Sequence, residues 1–324
     1  MGIRILNKIV AYLEKRIFIL FFIFSIVVVL ANLSSMSLIT DIFSHFKLQY
    51  IYICFIFIVG FAILIPKNKS YVIGLVLSAF FIGLNLIDFL PSFTAREVPK
   101  TQNNIKLALF NVQTHNKNYD KVLLEIEQNS PDIILLQEVD DLWLFEIRSL
   151  KEKYPYSIEH ERFDNFGVAL YSKIPLKDAV IEYWTDYEVP VVKATILAKE
   201  KNILFYGIHT LPPISPEYYY ARNKMFQLIN EIILDKNSNI IIAGDLNSTK
   251  YSPQYKKFIA STNINEAHDI VKFFDRGSWN AYHIPPMRIT LDHILSTKDI
   301  TPLIYNIGSF VGSDHFPIFV ELGY

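Results

Sequence analysis

Long stretches without charge are confined to the first 90 residues of this 324-residue chain, and that partition limits the folds open to it. Ile17–Leu33, Gln49–Ile65 and Tyr71–Leu90 are apolar over 17 to 20 residues each, with Asp88 the single charge among them. A helix of about 20 residues spans the roughly 30 Å hydrocarbon core of a bilayer. Helices of a soluble domain would carry charge every third or fourth position on a solvent face. Residues 1–90 are therefore expected to form a three-helix transmembrane anchor. A cleaved signal peptide is not expected, because no small-residue cleavage site follows the first stretch and two more apolar stretches do.

Basic residues beside the spans set the expected orientation. Arg4, Lys8, Lys15 and Arg16 precede the first stretch, and Lys67 and Lys69 lie between the second and third. The loop between the first and second holds only Asp41, His45 and Lys47. The amino terminus and second loop are expected in the cytoplasm. The remainder is then extracytoplasmic, on a multi-pass anchor in the cell membrane, although Arg96 and Lys100 run against that asymmetry. Residues 91–103, with two prolines and no apolar period, read as a juxtamembrane linker. The lone cysteine, Cys54, lies within the second stretch and excludes an intrachain disulfide.

From residue 104 the pattern changes. Short runs rich in Ile, Leu and Val, bounded by turn formers, read as strands buried on both faces. Polar residues stand at their ends: Asn111 after KLALF, Gln137-Glu138 after DIILL, His209 after ILFYGI, and Asp245 with Asn247 after NIIIAG. Asp292-His293 in TLDHIL and Asp314-His315 in GSDHFP follow. In layered α/β proteins the site forms in the crevice beyond the carboxyl ends of strands. Carboxylates, amides and imidazoles gathered there suit a hard divalent cation and proton movement around a phosphate.

Charge bears on the partners. The chain has 31 basic and 32 acidic residues; residues 1–95 hold 7 and 3, which leaves 24 and 29 beyond them. A domain gripping nucleic acid by its phosphates would show a basic excess. Nucleic acid is therefore the less expected partner; a phosphate-containing substrate, such as a lipid-linked one, and the membrane bilayer are the expected ones. No protein partner is evident. Tyr218-Tyr219-Tyr220 opens an amphipathic helix running to about Lys236, and the tyrosines suit either a membrane interface or a half-buried helix face.

Six motifs in one fixed order resemble the endonuclease/exonuclease/phosphatase superfamily over residues 104–324. They are FNV at 110–112, QE at 137–138, the strand-ending His209, GDLN at 244–247, LDH at 291–293 and SDHFP at 313–317. The resemblance implies an α/β catalytic domain of two packed mixed β-sheets flanked by helices, a four-layer sandwich. It implies Mg²⁺ or Mn²⁺ held by Glu138, Asn111 and Asp314. It also implies that Asp245 orients or deprotonates the attacking water and that Asn247 steadies the phosphoryl group. Asn111 would hold a phosphate oxygen or a metal-bound water. His315, held by Asp292, and His209 would handle protons, in an order the sequence leaves open. His293 is expected to be structural, because on a strand it points away from Asp292.

Three features resemble a membrane-anchored branch, the teicoplanin-resistance-type proteins: the amino-terminal spans, HTLPP at 209–213, and Trp279 followed by Pro285-Pro286 and Arg288. Arg288 is a candidate clamp for a second phosphate. Asp140 stands where pancreatic-type nucleases carry an arginine near DNA phosphate. Their supporting Glu-Pro pair is interrupted here by Val189 between Glu188 and Pro190. The expected function is a metal-dependent phosphoesterase or pyrophosphatase acting on an envelope or lipid-linked phosphate at the outer membrane face. The alternatives are an extracytoplasmic nuclease and an inactive headgroup-binding module.

Overall fold

The structure is a computed structural model that describes residues 2–33, 37–89, 101–235, 239–262, 264–270 and 277–324. The chain forms two compact units, one of amino-terminal helices and one α/β.

In the first unit α1 (Gly2–Asn32), α2 (Leu38–Ser44), α3 (Lys47–Leu64) and α4 (Tyr71–Leu86) are helical. Phe21, Cys54, Phe61, Leu64 and Phe81 pack inside. The outward faces are equally apolar: Phe22, Ile23, Ile56, Val59, Ile73 and Phe80 are all exposed. Among the described residues two helices, Lys47–Leu64 and Tyr71–Phe89, are long and apolar enough to cross a membrane, where three were expected. The expected first span, Ile17–Leu33, is the distal part of α1, whose earlier turns carry Glu14, Lys15 and Arg16. The loop expected before the second span contains α2, capped by Ser37, whose side chain accepts from the Thr40 amide at 3.3 Å. Lys47 is buried there and pairs with Asp88 at 3.4 Å, so its charge is neutralised locally. The expected linker lies outside the described residues as far as Lys100.

The α/β unit contains β1 (Asn104–Asn111), α5 (Tyr119–Asn129), β2 (Ile133–Gln137), α6 (Asp141–Glu146), α7 (Leu150–Lys153), β3 (Tyr156–His160) and β4 (Val168–Ser172). It continues through β5 (Leu176–Tyr183), β6 (Pro190–Ala198), β7 (Lys201–Ile208), α8 (Pro216–Asp235), β8 (Asn239–Asp245) and α9 (Pro253–Thr262). It closes with β9 (Asn265–Glu266), β10 (Asp292–Ser296), β11 (Thr301–Ile307) and β12 (Ile318–Gly323). One sheet has the order β11-β12-β1-β2-β4-β3 and the other β5-β6-β7-β8-β10-β9. The pairs β1·β2 and β7·β8 are parallel, each crossed by one helix, and the remaining pairs are antiparallel.

Period-two alternation decides what each strand buries. Ile105, Leu107, Leu109, Ile133 and Leu135 of the first sheet meet Ile203, Phe205, Ile241, Ala243 and Ile294 of the second. The opposite face of the first sheet packs Phe110 and Leu136 against Val122, Ile126 and Trp143. The opposite face of the second packs Tyr206 and Ile242 against Met225, Phe226 and Phe258. The sheets approach closely at Gly207, where an added Cβ would lie 2.7 Å from Leu135 Cδ1. The structure is thus two packed mixed sheets with helices on their outer faces.

Candidate active site

The site sits where the inter-sheet core ends. The inward row Ile105, Leu107, Leu109 continues to Asn111; Ile133, Leu135 continues to Gln137; Ile203, Phe205, Gly207 continues to His209; and Ile241, Ala243 continues to Asp245. Each strand therefore delivers a polar side chain to the same edge by parity alone. Asp292 and His315 arrive differently. They lie at the amino-terminal side of β10 and β12, not at the end of an apolar run. Those strands run antiparallel to β8 and β1, so their beginnings share that edge, with Asp292 directly opposite Asp245 in the ladder.

Gln137 joins the two sheets. Its Nε2 donates to the Ile208 carbonyl at 2.9 Å and its Oε1 accepts from the Asp245 amide at 2.9 Å. Glu138 would point away from the site on a continuing strand, but its φ of 64° turns the chain. Asn111 Nδ2 then donates to Glu138 Oε1 at 2.8 Å, and Nδ2 also lies 3.4 Å from Asp245 Oδ2. Glu138 is not the helix-capping carboxylate of α6. Asp140 takes that place, accepting from the Trp143 amide at 2.8 Å.

Asp245 Oδ2 is the centre of the group, 3.6 Å from His209 Nε2 and 3.7 Å from His315 Nε2. His315 Nδ1 lies 2.8 Å from Asp292 Oδ2, so the carboxylate orients the ring. Burial pushes the Asp245 carboxyl up, to about 7, against the neighbouring His315, and the negative Asp292 adds to the rise. Burial, together with repulsion from His315, drives His209 down to about 4. Burial also lowers His315, but the charge and hydrogen bond of Asp292 outweigh it and the net direction is up. Burial thus favours the neutral form of His209, and Asp292 favours the charged form of His315.

Asn247, at φ 44°, donates from Nδ2 to the Thr210 carbonyl at 2.8 Å, and its amide donates to Asp245 Oδ1 at 2.8 Å. Asp314 accepts from Trp279 Nε1 at 3.1 Å. Arg288 lies on the rim, its guanidinium 4.4 Å from the Phe316 ring centre and its Nε donating to the His283 carbonyl. His293 faces the other way, toward α9, with Nδ1 2.8 Å from Glu266 and Nε2 2.7 Å from the Ser248 carbonyl. Glu188 is exposed and carries no bond to His209, whose Nδ1 has no partner among the described residues.

A divalent cation fits the chemistry of these donors. Glu138 is raised by burial and by the nearby Asp314, and Asp245 by burial and by Asp292 and Glu138, so negative charge is under-compensated. Apart from the expected set of Glu138, Asn111 and Asp314, the side chains of Asp245, Asp292 and His315 form a second group able to hold a metal, with ligand atoms within 4.8 Å of one another. His315 Nδ1 is engaged by Asp292, so this second group is suited first to proton handling.

Two contributors escaped the sequence reading. Arg222 on α8 is fully buried and donates from Nη1 to the Asn247 carbonyl at 3.0 Å, holding the turn that carries Asp245 and Asn247. Its signal was a lone charge on the apolar face between Tyr219 and Phe226. Phe166 packs its ring 5.0 Å from that of His209; nothing in its sequence surroundings marks it.

The sequence matches the Endonuclease/Exonuclease/phosphatase family over residues 108–315. The chain belongs to that family. No curated protein sequence matches it. Among solved structures, the family's fold is shared with the endonuclease/exonuclease/phosphatase from Beutenbergia cavernae, at 14% identity and TM-score 0.58 over 68% of this chain and 72% of that one. TDP2 of D. rerio, complexed with a single-strand DNA product, is similar at 14% identity and TM-score 0.57 over 69% of this chain and 100% of that one. Sphingomyelinase C from Streptomyces griseocarneus is similar at 17% identity and TM-score 0.51, over 68% and 99%. At these identities the family resemblance extends to the fold.

Proposed function

We propose that this chain is a divalent-metal-dependent phosphohydrolase, a phosphoesterase or pyrophosphatase, held at a membrane. The observation that carries the reading is the buried group around Asp245 Oδ2, with Asn111, His209 and His315 within 3.4–3.7 Å and Asp292 behind His315. Mg²⁺ or Mn²⁺ would be held by Glu138, Asn111 and Asp314, an oxygen-rich set without cysteine. When bound it would neutralise charge on the phosphoryl oxygens. Asp245 orients the attacking water and takes its proton. Charged His315, kept in place by Asp292, stabilises developing negative charge and supplies a proton to the leaving oxygen. Neutral His209 accepts or donates a hydrogen bond at the phosphoryl group. Asn247 steadies that group with its remaining amide hydrogen, and Arg288 meets a second phosphate from the rim.

The substrate we favour is an envelope or lipid-linked phosphate, as in the teicoplanin-resistance-type branch, met at the outer face. Two apolar helices with exposed apolar sides support membrane attachment. The basic residues before the first and third expected spans support an outward domain. Beyond residue 95 acids outnumber bases 29 to 24, which disfavours a nucleic-acid substrate.

The purified full chain should be assayed with Mg²⁺, and again with excess chelator, against prenyl pyrophosphate, phospholipid, nucleotide and DNA. Metal-dependent turnover of the lipid phosphates is expected. Turnover confined to DNA would favour the nuclease reading, and full activity in chelator would sink the metal mechanism.

A further inference from the structure

Large apolar side chains stand in solvent on the loops around the site. Phe163 and Ile214 are 78% and 76% exposed, and Ile284 is 67% exposed. Tyr282, Met287 and Phe310 are exposed as well. The strand order puts their loops on two sides of the site, the β3–β4 and β7–α8 loops on the β2 and β7 side and the segment before β10 and the β11–β12 loop on the β10 and β12 side. On one, Phe163 lies three residues before Phe166, whose ring packs on His209, and Ile214 lies five residues after His209. On the other, the Tyr282 hydroxyl donates to the Gly312 carbonyl at 2.9 Å, and its ring lies 5.7 Å from that of Phe310. Phe310 in turn lies 6.2 Å from Phe316, the neighbour of His315. Ile284 precedes the short turn Pro285–Met287, which Met287 closes just before Arg288.

Single apolar residues on a surface are ordinary. Two groups on opposite flanks of one buried polar site are not, and such patches mark interaction surfaces. The same chain supplies helices apolar enough to enter a bilayer. Tethering keeps the domain within reach of that bilayer at high effective concentration. Arg288, stacked on Phe316 beside the apolar tips, gives this rim the composition of an interfacial surface, apolar side chains next to a cation.

We propose that the two flanks enter the lipid interface when the site takes substrate, so that the hydrolysed phosphate belongs to a molecule whose apolar end stays in the bilayer. This rests on the phosphohydrolase reading and narrows its substrate to an interfacial one.

The test uses the full chain carrying Cys54→Ala, in nanodiscs of phosphatidylcholine and phosphatidylglycerol. An environment-sensitive fluorophore is placed at Ile214→Cys or Ile284→Cys, and, as controls, at Val180→Cys or Ile304→Cys. The controls are exposed apolar positions on β5 and β11. Quenching by acyl-chain nitroxide lipids is expected at 214 and 284 and not at the controls. No quenching at 214 and 284, or equal quenching at all four, overturns the proposal, the latter pointing to non-specific adsorption. A second arm measures the combined variant Phe163→Ser, Ile214→Ser, Ile284→Ser on substrates that share a headgroup and differ in chain length. Long-chain and isopentenyl pyrophosphate form one pair; long-chain and dibutyryl phosphatidylglycerol form the other. kcat/KM should fall about tenfold on the long-chain members and stay unchanged on the short ones. Equal losses on both members of a pair overturn the proposal. If the parent protein turns over none of these, the lipid-phosphate substrate of the proposed function fails, while the quenching pattern still decides the rim.

Discussion

At the scale of single residues, the two histidines that follow an aspartate divide cleanly. His315 closes on Asp292 and Asp245, whereas His293 is buried against Glu266 and Tyr255 on the far face of β10. His315→Ala or Asp245→Ala should lower kcat by about 10²–10⁴ with a much smaller change in KM, since both act on the transition state. His293→Ala should instead cost up to about 3–5 kcal/mol of stability, because the buried Glu266 carboxylate loses its partner at 2.8 Å. Urea denaturation beside steady-state kinetics separates the two; a well-folded His293→Ala protein with the larger kcat loss would reverse the roles. Glu138→Gln should abolish turnover at ordinary Mg²⁺ while leaving the urea midpoint near that of the parent.

His209 makes a prediction about pH. Its folded pKa of about 4 lies below the usual 6.5, so the folded state holds fewer protons than the unfolded one in between. The stabilisation is complete above pH 6.5 and is lost as pH falls through about 4, by up to roughly 3 kcal/mol. In chelator, His209→Asn should show a shallower decline in stability across that window than the parent. Parallel declines would mean that His209 titrates normally.

At the scale of elements, the strands act as rulers. Rows of alternate residues that fill the inter-sheet core end in Asn111, Gln137, His209 and Asp245, so a strand's register and its contribution to the site are the same property. Gln137 shows the coupling most directly, since one amide serves the Ile208 carbonyl and the Asp245 amide across the sheets. Gln137→Leu should cost about 1–3 kcal/mol for the buried groups left unsatisfied. It should also lower kcat by shifting Asp245, while leaving Mg²⁺ dependence in place. A variant that lost stability with unchanged kcat would show that the β8 end is held by other contacts, Arg222 foremost.

For the whole molecule, topology governs which substrates the site can meet. A reporter active only outside the cytoplasm should work when fused after Tyr324, and external protease should cut between Arg96 and Thr101. The warrant is six basic residues beside the first and third expected spans against Lys47 alone in the opposing loop. Lys47 is paired with Asp88 in the structure, which reduces its weight on the other side still further. A cytoplasmic carboxyl terminus would remove the envelope substrate and bring nucleic acid back as a serious candidate.

The sequence alone determined the strand ends at which polar residues stand, because apolar runs, turn formers and period-two alternation are local properties of the chain. It also determined the family, through six short motifs in one fixed order. Those motifs announced polar residues at strand ends but not which of them would meet. That Asp292 faces Asp245 depends on β10 pairing antiparallel with β8, a contact 47 residues apart in sequence. The turn that swings Glu138 back beside Asn111, the buried Arg222 under the Asn247 turn, and the opposite pKa shifts of His209 and His315 likewise arise from long-range burial and charge. Only the tertiary structure decided them, because desolvation and Coulombic coupling depend on what the rest of the chain places within a few ångströms, and no local pattern encodes that.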